Sequence, residues 1–191
     1  MQQKQPDPVA LYEQAVTNTR KIFANVKPAQ MKDSTPCDKW DVAALMNHIT
    51  GVSGYGINVL AGAQANDADH DAAKGGTTLE AFDKARNRFV QRAREPGALT
   101  KMVKGPAGDM PAAVFVGIIF NDMLVHGWDL AKATKQDTTL PKDLVETDYA
   151  MVSPNFKNLP RGEKAPFKEA VSVPATASTQ TKLLAGYGRH A

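Results

Sequence analysis

The sequence predicts an all-α protein: a four-helix bundle over residues 7–134, with a short hairpin or loop before the fourth helix and an irregular C-terminal extension over 135–191. Three observations carry this. Apolar residues recur at three- and four-residue spacing in four separate stretches, segments rich in Pro, Gly or polar residues divide those stretches, and the periodicity weakens after Thr134. Each stretch has a single apolar stripe to bury, and packing helix on helix is the simplest way to bury four of them.

The first stretch, "DPVALYEQAVTNTRKIFANV", places Val9, Tyr12, Ala15, Val16, Thr19, Ile22, Phe23 and Val26 on one side and stops before Pro28. The second, "KWDVAALMNHITGVSGYGINVLAG", opens on Asp41 as an N-cap and aligns Val42, Leu45, Met46, Ile49 and Val52, with Gly51, Gly54 and Gly56 loosening it. A polar loop, "NDADHDAAKGGTT", leads to the third stripe of Leu79, Phe82, Ala85, Phe89, Val90 and Ala93. Its Lys84, Arg86, Arg88, Arg92 and Arg94 read as a solvated face. "EPGALTKMVKGPAGDMP" is dense in Pro and Gly and contains a β-prone run from Leu99 to Val103, which predicts the hairpin or loop. Asp109 is then available to cap the fourth helix, with Pro111 in its first turn. Beyond Thr134, "LPKDLVETDYAMV" reads as a short helix, "AVSV" is β-prone within a loop, and "STQTKLLAGYG" suits a final turn or two.

At 191 residues the chain suits one domain, 1–191, with a substantial core. Charged residues make up 23%, and a net charge of +3 with bases and acids interleaved argues against a nucleic-acid partner. "MQQKQPDPVA" has no apolar signal region. "PAAVFVGIIF" reaches Asn121 and Asp122 after ten residues, short of the roughly 20 that span a bilayer, so no membrane span and a cytoplasmic location are expected. The lone Cys37 excludes an internal disulfide and fits a reducing compartment. In "GYGINVLAG", Tyr55, Ile57, Val59 and Leu60 spread over more than one helix face, which suggests a homodimer.

The fourth helix raises a question of chemistry. Asp122 and His126 sit four residues apart, on the same face as Phe115, Ile119 and Met123, and polar groups in such surroundings cost free energy unless they are paired or bound. His48, at the edge of the second stripe, can reach toward them across a bundle interior. Two imidazoles and a carboxylate form a common metal-ligand set that leaves coordination positions open. The same residues also suit a hydrogen-bonded core histidine paired with Asp122, with His48 capping a carbonyl. Asp129, seven residues after Asp122, could orient a ligand or pair with a cation. Cys37, just before the second helix, reads as a packing thiol, with a metal ligand or nucleophile as the alternative; Trp40 and Trp128 read as residues packing the helix ends, and His70 and His190 as exposed side chains.

"STPCDKWDVAALMNHITG" resembles the opening motif of the DinB-like metalloproteins, in the branch related to the N-terminal domain of mycothiol-dependent maleylpyruvate isomerase. "NDMLVHGWDLAKATKQ" resembles that branch's second motif and "VPATASTQTKLLAGYGR" its C-terminal signature, so the similarity covers nearly the whole chain. The resemblance implies a four-helix bundle whose divalent metal is held by His48, Asp122 and His126, zinc first, with nickel or iron as other occupants. It also implies a thiol-dependent S-transferase or isomerase-type activity, in which a low-molecular-weight thiol is activated at the metal against an electrophilic substrate. A metal-dependent hydrolase and a non-enzymatic metal-binding stress-response module remain alternatives. The isomerase completes its site with a separate C-terminal domain, for which the residues after the bundle are too few, so maleylpyruvate isomerisation itself is not expected.

Overall fold

The computed structural model describes residues 6–38, 40–63, 76–162 and 167–191. It is mostly helical with one small two-stranded sheet, and it divides into two compact units, residues 1–138 and 139–191. The first unit contains α1 (Pro8–Ala24), α2 (Val42–Leu60), α3 (Leu79–Ala93), β1 (Met102–Gly105), β2 (Gly108–Pro111) and α4 (Ala112–Ala133). The second contains α5 (Lys142–Val152), a 3-10 turn over Ser153–Asn158 and α6 (Thr179–Gly186).

Helix starts in the first unit follow side-chain chemistry. The carboxylate of Asp7 accepts from the Val9 amide at 2.9 Å, with Pro8 supplying a residue that needs no donor in the first turn. Asp41 caps α2 by accepting from the Ala44 amide at 2.9 Å, as its position predicts, and Thr78 caps α3. The fourth helix differs from expectation. Asp109 does not cap it but lies within β2, opposite Lys104 at 3.3 Å, while Pro111 occupies the cap position and Ala112 begins the helix. The hairpin pairs Met102 with Pro111, so strand geometry persists to the residue before the helix and leaves no turn for an aspartate cap.

Helix α1 packs against α4 and α3, and α2 packs against α3 and α4. The stripes read from the sequence meet there: Val9, Tyr12, Val16, Leu45, Ile49, Phe82, Phe89, Phe115, Ile119 and Met123 are all buried. Tyr12 meets Phe89 edge-on at 4.7 Å, and Phe23 stacks on Phe82 at 4.9 Å, joining α1 to α3 through ring contacts. Arg20 grips Asp83 with two hydrogen bonds of 2.7 Å, and Arg86 adds a third at 2.9 Å. The hydrogen bond from Arg20 holds the Asp83 carboxyl below its ordinary range, opposed by partial burial. The basic face of α3 is therefore not simply solvated. Arg86 joins this clamp, Arg92 donates to the Leu60 carbonyl at 3.0 Å, and Arg94 bonds Asp7 and Glu13.

Helix α4 continues unbroken through Asn121 and Asp122 to Ala133, 22 residues in all, as the helical spacing predicts. By length and composition alone it could cross a membrane, but 67% of its most apolar window is buried inside the fold, as in a core helix. Tyr55, Val59 and Leu60, which suggested a dimer surface, are also core residues. The large apolar side chains exposed among the described residues are Met102, Val114, Ile118 and Met151.

In the second unit Leu144, Val145, Leu183 and Leu184 are buried, and the Arg161 guanidinium donates to the carbonyls of Phe156 at 2.9 Å and Gly186 at 2.7 Å. The helices expected around residues 140–152 and 178–188 form. The β-prone "AVSV" does not pair as a strand, and Val171 instead donates its amide to the Ala185 carbonyl at 2.9 Å.

Close approach of α1 to α4 depends on Gly127. A methyl group there would run into the Thr19 hydroxyl, which itself donates to the Met123 carbonyl at 3.1 Å. Gly127→Ala is expected to destabilise the fold by about 1–3 kcal/mol through overpacking, read as a lower urea midpoint at unchanged slope. Pairing it with Thr19→Ala should recover part of that loss; a strictly additive double variant would show that the two residues do not compete for this space.

Candidate metal centre

The segment before α2 is shaped by its own hydrogen bonds. The Val42 and Ala43 amides donate to the carbonyls of Asp33 and Met31, each at 3.0 Å. The Thr35 hydroxyl accepts from the Cys37 amide at 3.1 Å and donates to the Trp40 carbonyl at 2.8 Å. This small loop holds Cys37 and Trp40 near one edge of α4. Helix α2 supplies His48, while α4 supplies Asp122, His126 and Asp129 at i, i+4 and i+7, the spacing of one helix face.

His48 Nε2 lies 3.2 Å from Asp122 Oδ1, and His126 Nε2 lies 3.8 Å from Asp122 Oδ2. One ligand atom from each of the three residues falls within 4.8 Å of the others. The opposite nitrogen of His126, Nδ1, is 2.9 Å from Asp129 Oδ2. His48 is 6% exposed and Asp129 fully buried, whereas the Asp122 side chain keeps 22% of its surface accessible. The cluster therefore has a buried side and an open side, with Asp122 at the opening.

Nearby phenols register the acid. Burial raises the Tyr12 phenol well above its usual range, opposed by the hydrogen bond with Ser53 and the charge of Arg86, and the charge of Asp122 adds a smaller push upward. Tyr55 is raised by burial and by Asp122 as well. Tyr12 stays a neutral hydroxyl paired with Ser53 at 2.7 Å.

The donor set fits a divalent ion. A tetrahedral ion with bonds of about 2.0–2.1 Å to nitrogen or oxygen separates its ligands by about 3.3–3.4 Å, between the two Asp122–histidine distances. A carboxylate on Nδ1 also fixes the ring so that Nε2 faces the shared point, the usual support of a metal-ligating imidazole.

Of the residues singled out from sequence, His48, Asp122 and His126 converge, and Asp129 stands behind His126. His48 bonds the acid rather than simply capping a carbonyl. Trp128 is buried in the core as expected, with Lys132 Nζ 5.5 Å from its ring centre. His190 is exposed, and His70 lies outside the described residues. Two residues exceed their sequence reading. Cys37, read as a packing thiol, places its Sγ 3.3 Å from Asp129 Oδ2 and 3.8 Å from His126 Nδ1. Trp40, read as packing a helix end, has ring contacts with His48 at 4.5 Å and His126 at 5.5 Å, and so forms a wall of the cluster. Their sequence signals were position, just ahead of the helix that carries His48, and membership of the same family-like motif as that histidine.

Facing helices that bring two imidazoles and a carboxylate to one point define a class: helical proteins with an interhelical ligand set of the kind used for divalent metals. The profile described as the mycothiol maleylpyruvate isomerase N-terminal domain matches residues 12–131, which take in every residue of the cluster, and the chain belongs to that family. Two uncharacterized proteins, from two strains of Mycobacterium tuberculosis, are each 29% identical over 187 residues, covering 96% of this chain and 98% of theirs. A crystal structure of the mycothiol-dependent maleylpyruvate isomerase shares the fold, with a TM-score of 0.59 at 14% identity over 76% of this chain and 68% of that one.

Removing the Asp129 carboxylate leaves a buried imidazole edge without its partner. Asp129→Ala is expected to cost roughly 1–3 kcal/mol of stability, whereas Asp129→Asn, which can still accept from Nδ1, should cost less. Chemical denaturation of the two variants checks the order, and equal losses would mean that the hydrogen bond contributes nothing beyond packing.

Proposed function

We propose that this chain holds one divalent metal ion through His48 Nε2, His126 Nε2 and the Asp122 carboxylate, and that it is a thiol-dependent enzyme of S-transferase or isomerase type. One observation carries the reading: three ligand atoms from two helices gather at one point while a buried carboxylate occupies the far nitrogen of His126. The matching fold belongs to a protein described as mycothiol-dependent, which supports a low-molecular-weight thiol as cosubstrate. The contacts among α1, α2, α3 and α4 support the four-helix-bundle architecture, and residues 135–191 are taken, as part of the same proposal, to be a C-terminal extension of one metal-binding domain. Charge balance gives no footing for nucleic acid, and the reducing compartment suggested by the single cysteine supports a cytoplasmic location.

Zinc suits the donor set best, with nickel or iron as other occupants, and such an ion, held by these residues, would strip the proton from a coordinated thiol and so supply a thiolate nucleophile. The residues of the chain divide the remaining work. Asp129 fixes the ring plane and proton position of His126. Asp122, the most accessible of the three, faces the side from which a thiol can enter. Trp40 lines the histidines with an apolar face that limits water and can meet the body of an electrophile.

The purified protein should bind about one divalent ion per chain with high affinity, measured by elemental analysis after dialysis, and His48→Ala and His126→Ala should each lose it. Full retention in both variants would exclude these ligands. Asp122→Asn should weaken binding more than Asp129→Asn, because the first removes a charged ligand and the second only an orienting partner.

Thiol coordination is best read in a Cys37→Ser background, where the chain carries no sulfur ligand from cysteine. With one equivalent of cobalt, adding mycothiol, bacillithiol or glutathione should produce a sulfur-to-metal charge-transfer band, and His48→Ala should abolish it. A filled site that gives no band with any thiol, together with steady ester hydrolysis, would move the assignment to a metal-dependent hydrolase.

A further inference from the structure

We propose that Cys37 Sγ, Asp129 Oδ2 and His126 Nδ1 form a second metal site, selective for a thiophilic divalent ion, on the opposite edge of the imidazole that serves the first centre. The three atoms are separated by 3.3 Å (sulfur to oxygen), 3.8 Å (sulfur to nitrogen) and 2.9 Å (nitrogen to oxygen). A tetrahedral ion with bonds of about 2.0 Å to nitrogen and oxygen and about 2.3 Å to sulfur needs separations of about 3.3–3.5 Å. No pair has to move by more than about half an ångström to reach that geometry. Cys37 is half-buried and so open to an entering ion, and the Thr35 hydrogen bonds hold its loop in place. A thiolate beside an imidazole and a carboxylate favours zinc or cadmium over magnesium or calcium.

Binding is a proton exchange. The incoming ion replaces the thiol proton of Cys37 and any proton on His126 Nδ1, and both leave to solvent. It also takes the place of the His126–Asp129 hydrogen bond, so the second site binds more weakly than the first and fills only when the first is satisfied or lost. It shares His126 with the proposed centre but uses neither His48 nor Asp122, so the two assignments can fail independently.

Cadmium titration of the full-length, reduced protein in thiol-free buffer tests this, followed by the ultraviolet thiolate-to-cadmium band. Cys37 is the sole cysteine, so any such band reports that side chain alone. The expected result is a saturable band accounting for one ion per chain. It should persist in His48→Ala, which empties only the first centre, and disappear in Cys37→Ser. Asp129→Asn and His126→Gln, each checked for fold by circular dichroism, should weaken it by at least about tenfold. Absence of the band at millimolar cadmium overturns the site. So does a band whose midpoint is unchanged in both the Asp129 and His126 variants, since cadmium would then be held by a bare thiol. Loss of the first ion in His48→Ala with the band intact separates the two centres, whereas an unchanged first ion would count against the proposed function and leave the cysteine site standing.

Discussion

The contact between the buried carboxylate of Asp129 and His126 Nδ1 governs the layout of the first unit. A fully buried carboxylate has to find donors inside the protein, since the solvation it gives up is worth several kcal/mol. The imidazole one turn away is the donor that the helix itself can supply, and Cys37 Sγ adds another at 3.3 Å. Meeting that demand turns Nε2 of the same ring toward Asp122, and Asp122 in turn meets His48 on α2. A single internal requirement on α4 thereby sets the orientation of side chains from two helices and a loop.

Helix α4 can do this because its faces are divided. At 100° per residue Asp122, His126 and Asp129 fall within about 60° of one another, while Met123 lies about 90° and Gly127 about 130° from the middle of that arc. The glycine edge lets α1 approach until Thr19 bonds the backbone of α4. The other edge keeps enough room between α4 and α2 for two imidazoles and an indole. Tight packing on one side and polar side chains on the other are thus properties of one helix, and the loop carrying Trp40 closes the second face.

Much of this was legible in the sequence because it follows from helical period. Asp122 and His126 stand out as polar groups on an apolar stripe, and His48 shares the buried face of its own helix, so their meeting needed only that the two helices pack. The apolar stripes likewise predicted which residues form the core. What stayed hidden depends on chain paths that no period encodes. Cys37 and Trp40 reach the cluster through hydrogen bonds from Thr35 and a turn before α2, and nothing in their own side chains announces that path. Asp109 looked like a cap because strand pairing with Lys104 is invisible until the hairpin register is known. The arginines of α3 looked solvated because their partners, Asp7, Glu13 and the Leu60 carbonyl, are distant in sequence.

The gradient of burial across the cluster explains how rigidity and access can coexist there. Asp129 and His48 are sealed in the interior, and close packing leaves them little freedom to reorient. His126 is set from behind by a hydrogen bond, which holds its Nε2 toward Asp122. Asp122 alone combines a place in the cluster with substantial exposure, and a carboxylate can meet an incoming ion through one oxygen or both. The arrangement concentrates ordering cost in the folding of α2 and α4, where burial of their apolar stripes offsets it. Under the proposed metal assignment little would then remain to be ordered on binding, and the adjustable member of the set stands on the cluster's open side.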